Sequence, residues 1–222
     1  MQTRRQLIGA LAGTGVIATS GCLGILTGEE AYEASASPVR ASDDASQETG
    51  YELKGVESQE IEETREIAGQ ERTVVATNWI ATYEKTLDHP ILGETETGVF
   101  AAVSTPAFEI AGQTLSPVKD YSNKKLVTLL ASQYEQLEVN EEVATNSRST
   151  LGTSVEISKF DATATFNGQE IDIFVHVGSL KDGEDFVIPV GIYPQQREDE
   201  EEPNIVTLIE SLEHPAATPT ES

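Results

Sequence analysis

Cysteine is almost missing from this 222-residue chain: Cys22 stands alone. No disulfide can therefore close within one molecule, and the fold rests on its core. Basic residues are nearly as scarce, 14 against 38 acidic ones, for a net charge of -24. That balance excludes the phosphate-binding face that nucleic acids require. Only three histidines are present, and no H-E-x-x-H, C-x-x-C, EF-hand ladder, phosphate-cradling glycine motif or G-x-S-x-G elbow accompanies them. Without such motifs neither a metal nor a cofactor is expected. Charge is also absent from residues 6–28, a run long enough for a bilayer crossing at about 20 residues. Six glycines dilute it, and glycine is a poor helix former, so a permanent span is weakly supported.

What is present starts at the N-terminus. Arg4 and Arg5 in "TRRQLI" precede a modest apolar stretch and then small residues before Cys22, the order of a signal peptide. The arginine pair resembles a twin-arginine export signal, the route taken by proteins that cross a membrane folded. "TSGC" resembles a lipobox, with Thr19 where an apolar residue is common. The resemblance implies cleavage before Cys22 and lipid on its sulfur; two chains are what stable retention needs. Residues 1–21 then form a removed signal and 22–28 a short lipidated tether. A single domain follows over 29–215, and a disordered tail over 216–222. An uncleaved anchor with Cys22 as a buried small residue is the alternative. Loss of Arg4 and Arg5 leaves 12 basic residues, and 12 minus 38 is -26. Such a chain repels itself unless molar salt, with a screening length of about 3 Å, removes most of the cost.

Along the domain, "EAYEASAS" reads as a short strand before Pro38, and Ser42 and Gly50 as the two caps of a short helix. Runs 51–67 and 72–87 read as a hairpin, and 97–106 as a strand closed by Pro106. "AFEIAGQTLSPV" is a small hairpin or an irregular excursion. At Leu126, Leu129, Leu130, Tyr134 and Leu137 the period becomes helical, with Ser122 as a cap. Phe160, Ala162, Ala164 and Phe166 alternate before "NG", and Ile171, Ile173, Val175 and Val177 alternate after it, the clearest hairpin in the chain. Residues 184–194 add a strand in which Pro189 suggests an edge or a bulge. A last helix begins at Pro203, with the acidic run 198–202 at its positive end as a solvated lead-in.

Hairpins and a meander with two main helices imply an α+β sandwich: an antiparallel sheet with both helices packed on one side. This order of elements is similar to the PsbP-like fold. The acidic composition, the arginine pair and the cysteine site, with "GYEL", "TNWIATYEK", "ILGETETG" and "SKFDATATFNGQEIDIFVHV", resemble small haloarchaeal lipoproteins of unknown function. No functional residue comes with that resemblance.

Three sets of side chains are candidates for function. Trp79, Tyr83 and Tyr193 suit a ligand or partner surface, although aromatics in a small sandwich more often fill the core. Asp182, Glu184 and Asp185 in "KDGED" have a spacing that a hard cation accepts, against a solvated turn. His89 reads as part of a turn, His214 as a partly positive group at a helix end, and His176 as exposed or paired with a carboxylate. No nucleophile accompanies them, so no catalytic residue is assigned. The expectation is a non-enzymatic, lipid-anchored domain facing the outside of the cell and binding a cell-surface protein. The alternatives are a small-ligand-binding lipoprotein and a carboxylate-based hydrolase, the latter needing two carboxylates in one cleft.

Overall fold

The computed structural model describes residues 31–67, 70–89, 93–110, 113–116, 118–132, 137–166 and 168–218. Arg4, Arg5 and Cys22 lie outside the described residues. Two antiparallel meanders meet edge to edge. The first is β3 (Glu52–Ile67), β4 (Gln70–His89) and β5 (Gly93–Pro106); the second is β8 (Leu137–Thr150), β9 (Thr153–Phe166), β10 (Gln169–Val177) and β12 (Asp185–Pro194). β5 pairs with β12, so the sheet runs β3-β4-β5-β12-β10-β9-β8. β1 (Tyr32–Ser35) lies parallel to β4 with Tyr32 opposite Val74, where β5 no longer reaches. That pair is the parallel exception in a sheet expected to be antiparallel. β2 (Arg40–Ala41) pairs with β13 (Leu212–Glu213), β6 (Phe108–Ile110) with β7 (Gln113–Leu115), and β11 (Leu180–Asp182) with β12.

Local chemistry explains the short elements. Helix α1 (Asp43–Thr49) starts where Ser42 Oγ accepts the Ala45 N–H at 3.2 Å. It stops where Gly50 takes a positive φ of 74° and its N–H bonds Ser46 C=O at 3.0 Å, a left-handed cap that favours glycine. The β8–β9 turn has Leu151 at φ 49° and Gly152 at φ 72°, two left-handed residues in succession as a tight hairpin turn requires. Leu151 tolerates that conformation while packing against the core.

The main helices lie on opposite faces of the sheet, which corrects the one-sided packing expected. α2 (Asn123–Ser132) covers a core that includes Phe160, Ala162, Ile171, Ile173, Val175, Val177, Ile188 and Val190. α3 (Glu198–Glu210) covers Tyr83, Phe100, Ala102, Val155, Ile157, Phe174, Val187 and Tyr193, with α1 beside it. Alternate residues of β9, β10 and β12 thus belong to different cores, the pattern of a strand buried on both sides. Each fully buried aromatic such as Phe100 or Phe160 contributes roughly 1.5–3 kcal/mol. α3 approaches β12 so closely that a Cβ on Gly191 would overlap the Ile205 side chain.

Two more boundaries differ from expectation. β8 is not among the expected elements, and Leu137 starts it rather than ending a helix; its side chains are mostly exposed on both faces and bulges interrupt its register. α3 starts at Glu198 rather than Pro203, so the acidic run forms its first turn, where negative charge is favoured.

Candidate functional site

Buried ionisable groups collect along the α3 face, in three clusters. The first centres on Glu201, fully buried on α3. Its carboxylate accepts from Tyr51 Oη at 3.0 Å, Lys85 Nζ at 2.7 Å and Asn204 Nδ2 at 3.3 Å. Burial, then the charge of Glu201, push the Tyr51 phenol up, so it stays a donor. Each of the three groups donates to the carboxylate, so both of its oxygens are engaged.

The second cluster lies where α3 crosses β9 and β10. Lys159 donates to Glu198 and, at 2.7 Å, to Glu202, with its ammonium 4.0 Å from the Phe174 ring centre. Burial alone would lower Lys159; the bonds to Glu198 and Glu202 outweigh it and raise it. Burial likewise acts to raise Glu202, but the Lys159 bond and charge hold it below the usual carboxylate range. Behind this pair His176 Nε2 meets Tyr193 Oη at 2.9 Å, and the two rings stack with centroids 5.4 Å apart. Burial is the first cause that pushes His176 down to about 4, helped by Lys159 and Arg148 and opposed by Glu202. Arg148, Glu198, Asp199, Glu202, Pro203 and Val206 line a shallow depression of about 430 Å³ in front of the cluster. A general acid must hold a proton at working pH, and Glu202, held below the usual carboxylate range, is not suited to that part.

The third cluster joins Asp182 and Asp185 to His214. The His214 Nδ1 is 2.8 Å from Asp182 Oδ2, and Nε2 is 3.0 Å from Asp185 Oδ2. Glu184 stays exposed, its carbonyl accepting the Ala107 N–H at 2.7 Å. "KDGED" is therefore split: two of its carboxylates face a histidine and the third faces solvent. Among the described residues no three His, Cys, Asp or Glu side chains are disposed to hold a metal ion.

The remaining candidates fall elsewhere. Tyr83 and Tyr193 are almost fully buried and cannot form a surface. The Tyr83 hydroxyl accepts the Ala41 N–H at 3.0 Å and donates to Ala41 C=O at 3.2 Å. Trp79 shares the Tyr83 face of β4 but is half-buried. His89 ends β4 opposite Gly93, in a strand rather than a turn. His176 is buried and paired with a tyrosine, against the exposed or carboxylate-paired position expected. His214 lies beyond β13, held by two carboxylates and not by the helix end.

Glu201 and Lys159 were missed. Lys159 had a signal: it sits at an inward position of a strand whose neighbours Ile157 and Phe160 are buried, and a lysine there needs partners. Glu201 had none, since the run around it is uniformly acidic.

The outer strand β3 is different from all of these. Residues 57–62 are exposed on both faces, Ile61 among them at 38%. Among the described residues no strand pairs with its free edge.

Residues 38–213 match the family model described as domain of unknown function, DUF6517. The chain belongs to that family. No curated protein matches it. A similar solved structure is that of cyanobacterial PsbP (CyanoP) from Synechocystis sp. PCC 6803, at 9% identity and a TM-score of 0.40, covering 80% of the DUF6517 chain and 92% of the cyanobacterial one. A likeness of that size supports no statement about partner or activity.

Proposed function

We propose that this DUF6517 protein is a non-enzymatic binding domain, lipid-anchored through Cys22 on the outside of the cell membrane. It engages a cell-surface protein through the arm formed by β3 and the facing half of β4. One contrast carries the reading. The buried ionisable groups Glu201, Lys159, His176 and His214 are each committed to internal partners, whereas residues 57–62 of β3 are exposed and no strand pairs with their outer edge among the described residues. That edge carries Glu57, Glu60, Glu62 and Glu66 to solvent, so the partner surface that fits it is basic.

The direction of β1 supports the placement. Because β1 runs parallel to β4 from Tyr32 opposite Val74, the Tyr32 end of β1 is the end nearer the arm's tip. Nine residues lie between Cys22 and Tyr32, ten steps with a reach of roughly 35 Å at most. An anchor at Cys22 holds the arm near the bilayer surface, where a membrane-bound partner stands.

The test is crosslinking in intact cells at native salt. Reversing Glu60, Glu62 and Glu66 to lysine lowers recovery of the partner by about tenfold, the effect of losing a few favourable charge contacts, with the melting temperature unchanged. The Cys22→Ala chain leaves the membrane fraction. Equal recovery with the reversed arm would overturn the reading, as would substrate turnover abolished by Glu202→Gln.

A further inference from the structure

Segments from both ends of the domain meet at His214. The side chain, 3% exposed, is enclosed between Asp182 at the end of β11 and Asp185 at the start of β12. Asp185 Oδ2 also accepts the Ser37 N–H at 2.8 Å, and the Ser37 carbonyl accepts from Ser104 Oγ at 2.5 Å. Two residues past His214, the Ala216 N–H bonds Pro38 C=O at 2.7 Å, so order extends into the first residue of the expected tail. One imidazole therefore links the strand segment before β2, the β11–β12 turn and the chain leaving β13.

The bonding pattern specifies the charge of that imidazole. A carboxylate only accepts, so two carboxylates facing both ring nitrogens require a hydrogen on each, which is the imidazolium. A neutral ring keeps one hydrogen and turns a lone pair toward the other carboxylate. Asp182 is 32% exposed and can be hydrated in its place, but Asp185, at 7%, cannot.

We propose that His214, Asp182 and Asp185 form a proton-dependent clasp that ties residues 37–38, between β1 and β2, to the β11–β12 turn and the chain leaving β13. It is tightest while the ring is charged and weakens when the ring loses its proton, while β1, Ala41 and Ser42 stay bonded to β4, Tyr83 and Ser211. The other charged groups nearby do not compete for the ring. Lys181 and Glu184 of the same turn face solvent. Glu213 on β13 is exposed opposite Arg40 of β2, whose guanidinium lies 3.8 Å from Asp43.

The direction of the pH response follows from the partners. The Asp185 bond is the first cause that raises His214 above its ordinary value; burial opposes it and Asp182 adds to it. A histidine raised in the folded state stabilises fully below its unfolded value near 6.5, and that stabilisation is lost as pH rises through the raised value. The clasp accordingly weakens on the alkaline side.

Hydrogen exchange of the full chain in molar salt, from about pH 5 to about pH 9, tests the clasp across the histidine range. Protection is corrected for intrinsic rate and referred to the Val175 amide in the core. The Ser37 and Ala216 amides lose about tenfold protection relative to Val175 as pH rises, the worth of one charge-assisted hydrogen bond. Asp182→Asn moves the midpoint to lower pH, and His214→Gln gives low, pH-independent protection at both amides. Ser37 and Ala216 tracking Val175 throughout would overturn the clasp, and so would an unmoved midpoint in Asp182→Asn. Neither result depends on what the β3 arm binds.

Discussion

His176 and His214 are both enclosed by the fold, yet their surroundings favour different charge states, neutral for His176 and protonated for His214. His176 sits on β10 against Tyr193, with a hydroxyl at 2.9 Å and a stacked ring for neighbours. His214 sits outside the sheet's centre between two carboxylates at 2.8 Å and 3.0 Å. Burial penalises the charged form in both places; only the second supplies acceptors that more than offset it. The two sites then limit stability from opposite sides. His176 stays neutral in the fold while the unfolded chain takes up a proton near 6.5, so its contribution is present above that value and is lost as pH falls toward about 4. His214 contributes below 6.5 and loses its contribution as pH rises through its raised value.

The largest expected effect lies on the acid side. A displacement from 6.5 to about 4 corresponds to roughly 3 kcal/mol at 1.36 kcal/mol per tenfold. Denaturant unfolding of the parent at about pH 7 and about pH 4 should therefore show a loss roughly 3 kcal/mol greater than the same pair of measurements on His176→Gln, which has nothing to titrate there. Equal losses would mean that burial does not govern His176, and the contrast between the histidines would fail. Next in size is Asp185→Asn, which removes a charged acceptor from both His214 and the Ser37 amide. It costs about 2 kcal/mol in the range where the ring is charged. The gap to the parent narrows on the alkaline side, since the parent loses the same bond there. A gap independent of pH would assign Asp185 to the Ser37 amide alone.

The parts of this molecule that could be read from its sequence are those set by neighbours in the chain. Ser42 and Gly50 cap a helix through bonds spanning three or four residues, and the "NG" hairpin pairs Phe166 with Gln169 in the register expected of it. What failed depended on contacts between distant residues. Phe174 and His176 alternate with Ile173, Val175 and Val177, a pattern equally compatible with a solvent face until α3 is found covering it. β8 has no apolar face to announce it, and its turn uses Leu151 where asparagine or glycine would have been a signal. Glu201 looked like its acidic neighbours, and its burial became apparent only with Tyr51 and Lys85, which lie 150 and 116 residues away. The same holds for His214: Asp182 and Asp185 were legible as a cluster, but the group they hold is 32 and 29 residues further on.

The smallest expected effect sharpens the comparison most directly. Tyr193→Phe removes the hydroxyl that meets His176 Nε2 and leaves the ring in place, so the edge-on contact with Phe174 at 6.0 Å persists and no cavity opens. The cost is then that of one neutral hydrogen bond with a buried partner left behind, about 1 kcal/mol. Burial first, then the charges of Glu202, Glu198 and Glu201, push the Tyr193 phenol up, so it does not ionise at moderately alkaline pH. His176 is already neutral there, so neither partner changes charge. The loss measured by denaturant unfolding should accordingly be the same at about pH 7 and about pH 9, whereas the Asp185→Asn penalty shrinks as pH rises through the raised value of His214. A Tyr193→Phe penalty that varied over that interval would show a titrating group at the His176 site, and the two histidines would no longer be separable by the charge of their partners.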